Sequence, residues 1–215
     1  MSPALRRHGP SGLGLGLLLF LWAGPLVGRA ETSFAAHMIL HMGLVAVAAP
    51  VLAFGLTRSV PAVGARISAR FAILAALAEF VLVWSWHAPA LHDAARRETW
   101  VLVLEQTSFL LAGLLVWLAA FGTAEGGRGA RAAGVAALLM TSMHMTLLGA
   151  LLLFAPRPLY ACGDLCSPLA TLTPLEDQQL GGVLMLLVGG AAYLIGGLSL
   201  LGKLLNEKRE GVAPA

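Results

Sequence analysis

Residues 37–56 read HMILHMGLVAVAAPVLAFGL. Two histidines and two methionines open the run, and everything after them is apolar or small. The run is 20 residues long and carries no Asp, Glu, Lys or Arg. The hydrocarbon core of a bilayer, about 30 Å thick, needs about 20 such residues at 1.5 Å rise each. Lipid offers no hydrogen-bond partner to a peptide group, so a chain crossing it satisfies its backbone internally, as a helix. This stretch therefore reads as a transmembrane helix with four soft or borderline metal donors at its mouth.

Working outward, comparable apolar stretches occupy about 11–28, 70–88, 99–121, 132–155 and 179–202. The 215-residue chain is 58% hydrophobic and only 12% charged, with a mean hydropathy of +0.82. Soluble domains carry about twice that share of charge. The expectation is an all-α, polytopic membrane bundle of five or six transmembrane helices. Residues 31–215 would form a single membrane domain with spans at about 37–56, 70–88, 99–121, 132–155 and 179–202. Residues 1–30 admit two readings. A basic start (LRRHGP), an apolar core and a small-residue GRA before Glu31 fit a removed signal peptide, and the same stretch fits a first transmembrane helix. No phosphate-binding glycine loop, HExxH or GxSxG occurs. In a membrane chain the net charge of +3 gives no reason to expect nucleic acid.

The charges matter through their placement. With the N-terminus in the cytoplasm, ten basic residues fall inside: Arg6, Arg7, Arg58, Arg66, Arg70, Arg128, Arg131, Lys203, Lys208 and Arg209. Four fall outside: Arg29, Arg96, Arg97 and Arg157. Positive flanks are retained on the cytoplasmic side, so the C-terminus is expected there too.

That topology segregates the donors. His37, Met38, His41 and Met42 lie at the outer end of their span, His87 ends the 70–88 span on the same side, and His92 follows in an outer loop. Cys162 and Cys166 belong to the long outer connection, His144 lies near mid-depth, and only His8 is inside. His37 and His41 are four residues apart and share a helix face, with Met38 and Met42 on the neighbouring row. Imidazole with thioether suits copper, and thioether favours Cu(I). The structural alternative is plain: a histidine at a helix end can bond water or lipid headgroups, and methionine fills cores. His144, in MTSMHMT, is a polar group deep in the membrane, which marks either a functional site or an interhelical hydrogen bond. Glu79 is equally deep. Glu105 is placed to orient an imidazole or to bridge helices. CGDLC, with Cys162 and Cys166, reads as a short disulfide or a Cu(I) dithiolate. Gly182, Gly189 and Gly196 recur every seven residues and allow close helix approach. Glu176 and Asp177 stand at a helix start, where carboxylates cap free N–H groups.

Five motifs then occur in order: HMILHMGLVAVAAPVLAFGL, WSWHAPALHDAA, LEQTSFLLAGLLVW, MHMTLLGALLLFAPRPLYA and SPLATLTPLEDQQLGGVLML. Together, over about residues 34–200, they resemble the membrane-spanning CtaG family of cytochrome c oxidase assembly proteins. The resemblance implies a non-enzymatic factor in a bacterial plasma membrane that aids copper delivery to a subunit of a haem–copper oxidase from the outer side. The positions matching the family's motifs are His37, His41, His87 and His144, with Asp177 and Gln178 in the DQ pair. Gln106 departs from the pattern, standing where family members often carry histidine. The expected metal ligands are thus His37, Met38, His41, Met42, His87 and His144, with His92, Cys162 and Cys166 as secondary candidates. Glu105, Asp177 and Gln178 would act as supporting or interacting residues.

Two other classes compete. Paired histidines on facing helices, His41 with His87 or His144, can ligate haem axially. A metal-free scaffold that only binds the oxidase would need none of these donors. A transporter is disfavoured by the scarcity of intramembrane charge and the lack of paired broken helices.

Overall fold

The computed structural model describes residues 3–65, 67–123, 127–160 and 172–210. Among them there are helices and no strands. Helix α1 spans Pro3–Ala23 and α2 spans Leu26–Ala30. Then follow α3 (Phe34–Ser59), α4 (Pro61–Ala65), α5 (Ala69–Trp86), α6 (Pro89–Arg97), α7 (Thr99–Thr123), α8 (Arg128–Leu153) and α9 (Pro174–Asn206). Among the described residues, five helices are long and apolar enough to cross a membrane: α3, α5, α7, α8 and α9. Their outer surfaces carry exposed Leu74, Val81, Leu104, Leu111, Leu147 and Ile195, while Glu79, Glu105, Gln106 and five histidines are buried inside. Apolar outside and polar inside is the distribution a lipid solvent selects. Cys162 and Cys166 lie outside the described residues.

The helices start where capping chemistry dictates, not where hydropathy first rises. The last span begins at Pro174, five residues ahead of the apolar run. Thr173 accepts from the Glu176 N–H, and the Glu176 side chain answers the Thr173 N–H, a capping box with proline in the first turn. Ser68 starts α5 in the same way, accepting from Phe71 N at 3.2 Å.

Helix α1 runs antiparallel along α3. Arg7 meets Ser59, Gly14 meets Leu52 and Leu21 meets Gly43. A Cβ on Gly14 would stand 2.6 Å from Leu52 Cγ, so this glycine lets the two helices close.

Helix α3 is not regular. Residues Gly43–Ala48 form a π-helical turn. Its cause can be read locally: the Ala49 N–H bonds Leu44 O, five residues back, and Pro50 has no N–H to offer. The Val45 carbonyl is thereby released and accepts the Trp117 indole N–H at 3.0 Å. The Tyr193 hydroxyl lies 3.3 Å from the same oxygen, but its stronger bond, at 2.6 Å, goes to Glu79. One broken turn thus ties α3 to α7, and through Tyr193 to α9 and α5. A second π turn, Met185–Gly190 in α9, presents the Gly190 carbonyl to Ser142 Oγ at 2.7 Å.

The start of α3 is held from across the bundle. Asp177 of α9 accepts from Ser33 Oγ at 2.8 Å, Phe34 N at 2.7 Å and Ala35 N at 3.4 Å, while Ser33 Oγ accepts from Ala36 N. So Asp177 caps a different helix from its own, and Glu176 alone serves α9. Gln178 accepts from Leu159 N at 2.7 Å and donates to Leu152 O at 3.2 Å, which pins the connection after α8.

Candidate functional site: a buried ladder of histidines

The start of α3, the end of α5, all of α6 and the start of α7 meet at one end of the bundle. His37 and His41 project from α3 toward α6 and α7, and both are fully buried. His87 terminates α5, and Ala88 turns extended because Pro89 follows it. Proline at the first turn then starts α6, which folds back over the bundle and buries His92. The Arg96 Nε–H bonds Glu31 O at 3.0 Å and holds α6 against the entry to α3. Placing His92 in an outer loop, as the sequence suggested, misses this helix. The signal was there: His92, Ala95 and Arg96 recur at helical spacing behind an N-terminal proline.

The rings descend in steps. The His92 and His37 centroids are 4.8 Å apart, and those of His41 and His87 are 5.7 Å apart. Glu105 Oε2 stands 3.3 Å from His37 Nε2 and accepts from Gln106 Nε2 at 2.9 Å. Ligand atoms of His37, His92 and Glu105 all lie within 4.8 Å of one another. Deeper, His144 Nε2 is 4.0 Å from Glu79 Oε2, whose carboxylate accepts from Thr141 Oγ1 at 2.7 Å and from Tyr193.

The decisive feature is what these imidazoles lack. Among the described residues, no hydrogen-bond partner reaches either nitrogen of His37, His41 or His144, or Nε2 of His87 and His92. The His37–Glu105 approach is close but not aligned for a hydrogen bond. Each buried unsatisfied polar group costs about 1–3 kcal/mol, so these eight nitrogens mark the cluster as a candidate site. Burial pushes the His92 imidazolium well below its ordinary range, with His37, His87 and Arg96 adding to the effect. Burial likewise brings His87 down to about 4; its bond to Val83 O opposes this, His37 adds to it and Glu105 opposes it. Burial thus favours the neutral ring at both positions.

The methionines go elsewhere. Met38 and Met42 are buried against the last span: a Cβ on Gly181 would lie 3.0 Å from Met38 Cγ, and one on Gly189 2.8 Å from Met42 Sδ. The four donors of HMILHM thus divide into a histidine row facing α6 and α7 and a methionine row facing α9. Met145 is buried and Met143 is 68% exposed. Gln106 bonds the carboxylate of Glu105 rather than an imidazole. Asp177 and Gln178 touch backbone and Ser33, so they position the helices that bear the site.

As a donor set, His37, His92 and Glu105 combine two borderline nitrogens with one hard oxygen, which could hold zinc or Cu(II), whereas thioethers favour Cu(I). A family model described as cytochrome c oxidase caa3 assembly factor (Caa3_CtaG) matches residues 7–207. No curated protein and no solved structure matches the chain.

Proposed function

The chain belongs to the cytochrome c oxidase caa3 assembly-factor family, and from that premise we propose that it assists copper delivery to a haem–copper oxidase subunit from the outer side of a bacterial plasma membrane. The role is non-catalytic: the protein receives an ion, holds it and gives it up. The observation that supports this reading is the column of five buried histidines, eight of whose nitrogens have no hydrogen-bond partner among the described residues, with Glu105 at one end. The basic-residue asymmetry supports an orientation with that end outside and the C-terminus in the cytoplasm. Metals would be held by His37, His92 and Glu105 at the mouth, with His41, His87 and His144 below. Ligands without a locked thiolate set release an ion readily, which suits delivery.

The haem alternative gains no support. Phe109 packs 3.8 Å from the His41 ring and 6.1 Å from that of His87, so a porphyrin plane between them would have to displace it.

The test is deletion of the gene at limiting copper. Haem–copper oxidase activity should fall, copper-free respiration should persist, and added copper should restore much of the loss. Unchanged oxidase activity in copper-limited deletion cells would refute the proposal.

A further inference from the structure

We propose that His41 and His87 form a second, deeper site that takes a monovalent soft ion, Cu(I), between two imidazole nitrogens. This inference rests on the copper reading above and adds a location, a coordination number and an oxidation state. The tautomer of His87 is fixed by its backbone. His87 Nδ1 lies 2.7 Å from the Val83 carbonyl, which can only accept, so Nδ1 carries the proton and Nε2 presents a bare lone pair. That Nε2 has no hydrogen-bond partner among the described residues. The backbone oxygen of His87 receives the Tyr160 hydroxyl at 3.1 Å, so the residue is held at both ends. A ligand nitrogen fixed through the hydrogen bond of its other nitrogen is how metal-binding imidazoles are oriented.

The spacing of the two rings also fits. Two metal–nitrogen bonds of about 2 Å each, plus about 1 Å from nitrogen to ring centre on either side, put the centroids of an ion-bridged pair about 6 Å apart. The observed separation is 5.7 Å at an interplanar angle of 56°. Neither nitrogen of His41 has a hydrogen-bond partner among the described residues, so neither is committed elsewhere.

The surroundings of the pair select the ion. His41 is fully buried, His87 is 6% exposed, and the Phe109 ring lies against both. Two neutral ligands in such surroundings cannot offset a double positive charge, and the cost of burying an ion rises with the square of its charge. Zinc seeks four ligands and Cu(II) a tetragonal set, and neither is offered here. The site at the mouth differs because Glu105 brings a carboxylate. The column thus holds two chemically distinct stations: a mouth that suits divalent ions and a deeper imidazole pair that suits Cu(I). His37 and His144 are the neighbours that could convert the pair into a three-coordinate site, so coordination number is what the test must read.

The experiment uses the full-length protein in detergent, loaded anaerobically with Cu(I) under ascorbate and competed with a chromophoric Cu(I) chelator. X-ray absorption then reads the coordination. Removing the mouth with His92→Ala and Glu105→Gln should leave one bound Cu(I) with a two-nitrogen shell and the intense pre-edge feature of linear geometry. His87→Gln or His41→Gln should weaken that ion by more than the roughly 10–100-fold that loss of a supporting partner causes. Size-exclusion profiles identify any variant that fails to fold, and the wild-type spectrum decides the geometry without a variant. A three- or four-coordinate Cu(I) shell, or Cu(I) retained in both glutamine variants and lost with the mouth, overturns this inference and leaves copper delivery standing. No Cu(I) bound by the wild type overturns both.

Discussion

Helix α3 presents two rows of potential metal donors one residue apart, and they have opposite fates. His37 and His41 face α6 and α7 with four nitrogens that no described residue satisfies. Met38 and Met42 face α9 and fill hollows left by Gly181 and Gly189. Composition and spacing treat the rows alike, because each is a soft or borderline donor pair at i,i+4. The difference comes from their neighbours. A thioether in a glycine hollow gains dispersion contacts and leaves nothing unpaired. An imidazole beside Phe109 and Glu105 keeps lone pairs that only a proton, a water or a metal can use.

The comparison can be broken most severely at the cap both rows depend on. Asp177→Ala removes three bonds to the start of α3 and should cost about 2–4 kcal/mol, since bonds to a charged group contribute about 1.5–3 kcal/mol each and are not additive. Thermal unfolding in detergent measures this, and Asp177→Asn should recover part of the loss. A neutral Asp177→Ala would mean that α3 is positioned by its apolar packing alone. A smaller effect is expected at Gly182, where a Cβ would stand 2.7 Å from the Leu153 backbone nitrogen. Backbone cannot swing aside, so Gly182→Ala should cost about 1–3 kcal/mol. Gly189→Ala meets only the flexible Met42 thioether and should cost less than Gly182→Ala in the same assay. The smallest effect sharpens the contrast directly. Met38→Leu with Met42→Leu keeps volume and apolarity, so stability should change by less than about 1.5 kcal/mol per site, with copper retention unaltered. A large loss of copper in that variant would return the methionines to the ligand set.

Much of the fold was legible because lipid imposes one rule on every span. Twenty apolar residues and a charged flank identify α3, α5, α7, α8 and α9 without any knowledge of contacts. What stayed hidden was local or long-range chemistry. The π turn at Gly43–Ala48 depends on Pro50 lacking an N–H, a legible signal, but its use to bind Trp117 requires the packed bundle. Asp177 looked like a cap for its own helix and caps α3 instead, because its direction is set by how α9 crosses α3. His92 looked like a loop residue because α6 is only nine residues long and too polar to register as a span. For the candidate site, spacing could place His37 and His41 on one face. It could not say which neighbours that face meets, and the neighbours separate an imidazole column from a methionine-filled seam.

The central claim is that the histidine row of α3 acts on copper while the methionine row only packs. It is tested most directly by complementing a deletion strain at limiting copper with His37→Ala/His41→Ala or Met38→Leu/Met42→Leu, and measuring haem–copper oxidase activity per unit of membrane-inserted protein. The account predicts that the methionine pair restores activity to the wild-type level and the histidine pair restores none, at similar protein abundance. Full oxidase activity with the histidine pair replaced would contradict it and leave a scaffold that needs no metal.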